Sequence, residues 1–184
     1  MRKLKLQMQV SVDGFVAGPE GQLDWMTWNW DDELKKFVSE LTDSMDTILL
    51  GRKMTAGFVN YWESVKPDNP EFPFAKKMVD APKIVFSKTQ KNVSGINTSI
   101  TNADLTEVVN KLKSQSGKGI IVYGGAGFVA SLIDNNLIDE FYLFMNPTAI
   151  GNGMKIFSNQ IKLQLLESTK YECGIVLNKF ILNN

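Results

Sequence analysis

Short apolar runs that end at glycine and give way to helical spacing recur along the chain, and few architectures accommodate that rhythm. Leu4, Leu6, Met8, Val10 and Val12 alternate with polar residues at the period of a strand, and the run stops at Asp13-Gly14. Asp46 to Leu50 is a short apolar run closed by Gly51, feeding a helix from Gly51-Arg52-Lys53-Met54-Thr55. Pro82 to Ser87 forms the next strand, and Ile96 to Ile100 has the makings of a short one. Gly119 to Tyr123 then runs into Gly124-Gly125-Ala126-Gly127 and a helix from Phe128 to about Asp134.

Between these runs, Asp31-Asp32-Glu33 places carboxylates in the positive first turn of a helix carrying Leu34, Phe37, Val38 and Leu41. Asp104 to Leu112 has amphipathic spacing, with Leu105, Val108, Val109 and Leu112 on one face. The segment with Pro67, Pro70 and Pro73 reads as an irregular connection. Phe141 to Met145 is a further strand, and Leu163 to Tyr171 and Ile175 to Leu182 read as a closing hairpin around Glu172-Cys173-Gly174. Strands interleaved with helices and closed by a hairpin predict an α/β fold, with a largely parallel sheet and an antiparallel edge. No repeat or linker divides the sequence, so residues 1–184 are expected to form a single domain.

At 184 residues and 43% hydrophobic content the chain can bury roughly 70% of its unfolded surface without staples. It contains no histidine, which excludes Ser-His-Asp and Cys-His machinery, His-ligated zinc and an imidazole base. The lone Cys173 excludes disulfide frameworks and Cys-rich metal sites, so no metal is expected. With 20 Lys+Arg against 20 Asp+Glu the chain carries no electrostatic footprint for nucleic acid. No apolar run reaches transmembrane length, and Met1-Arg2-Lys3 is followed by Lys5, Gln7 and Gln9 rather than by a signal core. A cytoplasmic location is expected.

In an open α/β sheet, ligands bind outside the carboxyl ends of the strands. Asp13-Gly14, Gly51-Arg52-Lys53, Ser87-Lys88 and Gly124 to Gly127 should therefore share one rim. Helix N-termini after Gly51 and Gly125 would aim N–H groups at phosphate oxygens, with Arg52, Lys53 and Lys88 adding charge. Gly125-Ala126-Gly127-Phe128-Val129-Ala130 fits the glycine pattern of a pyrophosphate cradle, or equally a close-packed strand-to-helix turn. Asp13 reads as a cap of its own turn or as a substrate ligand. Trp25, Trp28 and Trp30 lie in a long loop, either as a lid over a planar ligand or as a satellite of the core. Gln7, Gln9 and Ser11 make one face of the first strand polar, which suits a central strand facing ligand or a partly exposed edge strand.

Several segments together resemble the dihydrofolate-reductase-like superfamily, and within it the C-terminal reductase domain of bacterial riboflavin biosynthesis enzymes. They are Ser11-Val12-Asp13-Gly14-Phe15-Val16-Ala17, Ile48-Leu49-Leu50-Gly51-Arg52-Lys53, Ile84 to Lys88, Val122 to Gly127, and Phe141 to Pro147 with Gly151-Asn152-Gly153. The resemblance implies a three-layer dihydrofolate-reductase-like fold: a mostly parallel mixed sheet with helices on both faces and an antiparallel C-terminal hairpin. It implies NADPH as cofactor, with Gly51, Arg52, Lys53 and Met54 holding it on one side. Gly124, Gly125, Ala126, Gly127, Phe128 and Val129 would hold it on the other, with Ala17 nearby. Ser87 and Lys88 match the segment that contacts the 2′-phosphate.

On the substrate side the resemblance implies Asp13, Trp25, Trp28 and Asn146. Asp13 is the first candidate for the catalytic carboxylate. Glu33 is the second, because Trp28-Asn29-Trp30-Asp31-Asp32-Glu33-Leu34-Lys35-Lys36-Phe37 fits the folate-reductase pattern with Glu33 at the acid. The implied activity is NADPH-dependent reduction of a C=N or sugar-imine substrate, resembling 5-amino-6-(5-phosphoribosylamino)uracil reductase. The alternatives are a dihydrofolate reductase and a non-catalytic nucleotide- or pterin-binding module. No Cys/Glu zinc-deaminase segment accompanies the domain, so a stand-alone member is expected, as a homodimer.

Overall fold

The computed structural model describes residues 1–183. One eight-stranded sheet organises them: β1 (Leu4–Ser11), β2 (Met45–Gly51), β3 (Lys83–Phe86), β4 (Thr98–Thr101), β5 (Gly119–Val122), β6 (Glu140–Asn146), β7 (Leu163–Lys170) and β8 (Val176–Leu182). Their spatial order is β4-β3-β2-β5-β1-β6-β8-β7. The pairings from β4 through β6 are parallel, so those strands end on a common rim. β8 returns antiparallel to β6, and β7 lies antiparallel to β8 at the edge. The expected mixed sheet with its C-terminal hairpin is therefore what the chain builds.

The helices are α1 (Asp32–Asp43), α2 (Arg52–Ser64), α3 (Phe72–Asp80), α4 (Leu105–Ser114) and α5 (Ala126–Asp134). α4 and α5 cover one face, where Val109, Val129, Leu132 and Ile133 pack on Leu4, Leu6, Leu49 and Val122. The other face is covered by α1, whose Leu34, Val38 and Leu41 meet Tyr142 and Phe144, and by α2 and α3 over Ile48, Leu50 and Val85. This is the three-layer arrangement expected, dictated by strands apolar on both faces.

One helix departs from the sequence reading. α3 occupies part of the proline-marked segment, with a proline in its first turn. Proline is accepted there because its missing N–H has no partner in a helix's first turn anyway. The polar face of β1 is also decided: β1 lies between β5 and β6, in the middle of the sheet. Its polar side is not an exposed edge.

Candidate active site

β5 enters the sheet between β2 and β1, which the chain laid down earlier, so the connections on either side of β5 lie on opposite faces. A crevice opens there at the carboxyl ends of the strands, as the geometry of open α/β sheets requires. It is a cavity of about 1340 Å³, lined by residues that follow β2, β3, β4 and β5, by β1 itself, and by the tryptophan loop.

The glycine turns form its inner wall. Gly51 precedes α2 and Gly125 precedes α5, and neither helix has a side chain capping its first N–H groups. In contrast, Asp31 caps α1 by accepting from Leu34 N, and Asp104 caps α4 by accepting from Thr106 N and Glu107 N. The two ends left without side-chain caps are the two built on glycine beside the cavity, where backbone donors and dipoles favour an anion. Gly124 and Gly125 hold φ of 152° and 81°, which a side chain would resist. A Cβ on Gly51 would stand 2.7 Å from the Phe128 Cβ, so the two turns are packed against each other and glycine is required.

Gly51, Arg52, Lys53 and Met54 all line the cavity, as do Ser87 and Lys88. So do Gly124, Gly125, Ala126, Gly127 and Phe128. Arg52, Lys53 and Lys88 are exposed. Among the described residues none of the three is held in an ion pair. The Ser87 turn is rigid: its hydroxyl accepts from Thr89 N and Gln90 N, and the Asn102 amide donates to Ser87 O. Thr55 donates its hydroxyl to Gly51 O at 3.1 Å and is buried, so it serves the helix start.

Two members of the expected cofactor set lie elsewhere. Val129 is fully buried in the core beneath α5, because it sits on the opposite side of that helix from Gly127. Ala17 forms a backbone bridge with Met154, its O accepting from Met154 N, and only the adjacent Val16 and Met154 line the cavity.

Both expected carboxylates also fall outside the lining. Asp13 is exposed, and its oxygens accept from the Ser11 hydroxyl, Ile150 N and Gly151 N. The Ser11 bond, followed by those backbone donors against a small burial effect, holds its pKa below the ordinary carboxylate value. Its role is to fasten the segment after β6. Glu33 is exposed on the first turn of α1 and is not part of the lining. The acids that do line the cavity are Glu20, which is exposed, and Asp104, which caps α4.

The substrate end is built instead from amides and aromatic rings. Trp28 lines it and stacks with Trp30 at 6.4 Å between ring centroids, whereas Trp25 does not line it and donates its Nε1–H to Gln22 O. Asn146 is fully buried just behind the wall, donating to Gln9 Oε1. Gln7 and Gln9 line the cavity, so the polar face of β1 does turn toward a ligand site. Tyr123 lines it too, and burial pushes its hydroxyl up to about 12, keeping it protonated at neutral pH. Sequence reasoning missed the wall from Thr101 to Thr106. It follows the carboxyl end of a parallel strand, the same rule that found Ser87, but β4 is too short and polar to announce its direction.

The family model for the RibD C-terminal domain matches residues 2–177. The chain belongs to this family. Among its relatives, an uncharacterized Bacillus subtilis protein, YyaP, is 32% identical over 178 residues, covering 95% of this chain and 92% of its own. The riboflavin biosynthesis protein RibD of Corynebacterium ammoniagenes is 20% identical over 85% of this chain, which corresponds to 46% of that protein. A Shewanella sp. PV-4 protein assigned to riboflavin biosynthesis shares the fold at a TM-score of 0.74 and 19% identity, each chain covered completely. Dihydrofolate reductase from Enterococcus faecalis, solved with NADP(H), shares it at a TM-score of 0.63 and 15% identity, covering 99% of this chain and 97% of that one. The RibD C-terminal-domain family thus combines the riboflavin-type sequence pattern with a dihydrofolate-reductase-like fold. No helix among the described residues is long and apolar enough to cross a membrane, and no cluster there is suited to a metal ion.

Proposed function

We propose that this chain is an NADPH-dependent reductase acting on a C=N or sugar-imine bond of a small heterocyclic substrate, as its riboflavin-type relatives suggest. The observation that carries the reading is the continuity of one cavity from two uncapped helix starts to a tryptophan-lined end. Its volume, about 1340 Å³, exceeds the roughly 300–1,000 Å³ of a single-ligand pocket and suits a dinucleotide together with a second molecule.

The residues fit the cofactor. Gly51, Gly125 and the N–H groups of α2 and α5 would take the pyrophosphate, and Lys88 beside the rigid Ser87 turn would take the 2′-phosphate. Bound there, NADPH supplies the hydride. The chain's own contribution is placement and exclusion: Met26, Trp28 and Trp30 shield the substrate end, and Gln7 and Gln9 orient what enters it. With Asp13 and Glu33 outside the lining, the proton is assigned to water entering the cavity rather than to a carboxylate. The dihydrofolate-reductase alternative gains nothing at Glu33. The same reading carries a cytoplasmic homodimer, which light scattering would check.

Gly127 offers a clean test, because a Cβ built there meets nothing within 4 Å while the residue lines the cavity. Gly127→Val should keep its melting temperature yet weaken NADPH binding by ~10-fold or more, read by tryptophan fluorescence. Wild-type protein should bind NADPH about tenfold tighter than NADH. Absence of NADPH binding would overturn the cofactor assignment. Binding without oxidation across a panel including dihydrofolate and the ribosylaminopyrimidine would favour the non-catalytic module.

A further inference from the structure

β1 supplies the wall between the glycine turns and the tryptophan loop, and its two side chains of the polar face there are amides. Gln7 is 8% exposed, and its Oε1 is the buried side-chain polar atom with no hydrogen-bond partner among the described residues. A dry, unpaired amide oxygen costs ~1–3 kcal/mol, a cost that a leucine or methionine at this position would avoid. Such an orphan at the wall of a cavity points to a ligand that completes it.

Gln9 lies two residues on, hence on the same face of the strand. Its orientation follows from its partners. Asn146 Oδ1 accepts from Thr27 N at 2.8 Å, and Asn146 Nδ2 donates to Phe144 O at 3.1 Å and to Gln9 Oε1 at 2.7 Å. A backbone N–H only donates and a backbone carbonyl only accepts, so the Asn146 amide cannot be turned over. Gln9 must then present its oxygen to Asn146, and its Nε2 protons are left for the cavity. The relay also ties the readout to the loop, since Thr27 sits between Met26 and Trp28.

We infer that Gln7 and Gln9 set substrate specificity: Gln9 donates to a ring carbonyl of the substrate and Gln7 accepts from the ring N–H beside it. The recognised edge is a neutral cyclic amide, not a carboxylate and not an amidinium. This assignment rests on the reductase reading for what lies next to the heterocycle, while recognition of the heterocycle itself does not require NADPH.

The test uses the full chain, with and without saturating NADP⁺, titrated calorimetrically with pteridine-2,4-dione and 2,4-diaminopteridine. The dione should bind ~10-fold tighter or more, because exocyclic amino groups would face the Gln9 donors. Gln9→Glu replaces those donors with acceptors and should invert the ranking. Gln7→Leu should weaken dione binding ~10-fold while the melting temperature holds or rises, since the orphan oxygen is gone. The proposal falls if neither compound binds, if the diamino compound binds more tightly to wild type, if Gln9→Glu preserves the ranking, or if Gln7→Leu binds the dione normally. A separate NADPH titration that shows no binding, with the ranking intact, would instead sink the reductase reading and leave this one standing.

Discussion

Asp13 gives both carboxylate oxygens to neighbours rather than to the cavity: the Ser11 hydroxyl and the N–H groups of Ile150 and Gly151. Those backbone donors belong to the segment whose Met154 pairs with Val16 and Ala17, and Val16 lines the cavity. Asp13 therefore acts on the site at a distance, through the seating of that segment. Asp13→Ala is expected to speed hydrogen exchange at Ile150 and Gly151 on the order of tenfold while NADPH affinity stays the same. A turnover loss of ~100-fold with exchange unchanged would return the residue to a catalytic role. At this scale the sequence was legible where backbone chemistry forced a residue, as with Gly51, Gly124 and Gly125. It was opaque for Asp13, Glu33, Ala17 and Val129, because a motif places a residue near a site without saying which way its side chain points.

Elements were legible where their apolar period was long or their caps explicit, as in α1 behind Asp31 and α4 behind Asp104. α3 was hidden because its nine residues begin after Pro70 and include Pro73, and no side chain caps its start. Its stop comes from another element. Lys83, the first residue of β3, is 2% exposed and donates its Nζ to Met78 O, Val79 O and Ala81 O. Burial pushes this lysine's pKa down, opposed by Glu63 and Asp80, yet three carbonyls at one point call for a charged donor. No local sequence rule reveals a lysine folded back from a strand onto the preceding helix. Lys83→Met should leave the Met78 carbonyl unpaired and cost about 2 kcal/mol. In a domain of this size that lowers the melting temperature by roughly 4–8 °C. An unchanged melting curve would show that α3 ends without this clasp.

Across the whole molecule, the sheet changes from parallel to antiparallel at β6, and Glu140 stands at that junction. It accepts from Lys3, just before β1, and from the Tyr142 hydroxyl on its own strand, with Lys179 of β8 at 4.0 Å. One carboxylate thus joins the parallel half, which forms the cofactor end of the cavity, to the antiparallel hairpin. Burial would raise the Glu140 pKa, but the bonds from Lys3 and Tyr142 and the charges of Lys179 and Lys3 outweigh it, and the net shift is downward. A carboxylate more acidic in the folded chain stabilises it above the unfolded value, and that stabilisation is lost as pH falls through the folded value. The window therefore opens below about pH 4.3. Asp13 and Asp31 are shifted the same way, so the acid limb of stability belongs to several groups. Glu140→Gln should be less stable than wild type at neutral pH, and the two denaturation midpoints should converge as pH falls through this window. Parallel midpoints across that range would mean that Glu140 keeps its ordinary acidity, and that the hairpin is held to the parallel half by packing of Phe141, Phe144 and Leu177 alone.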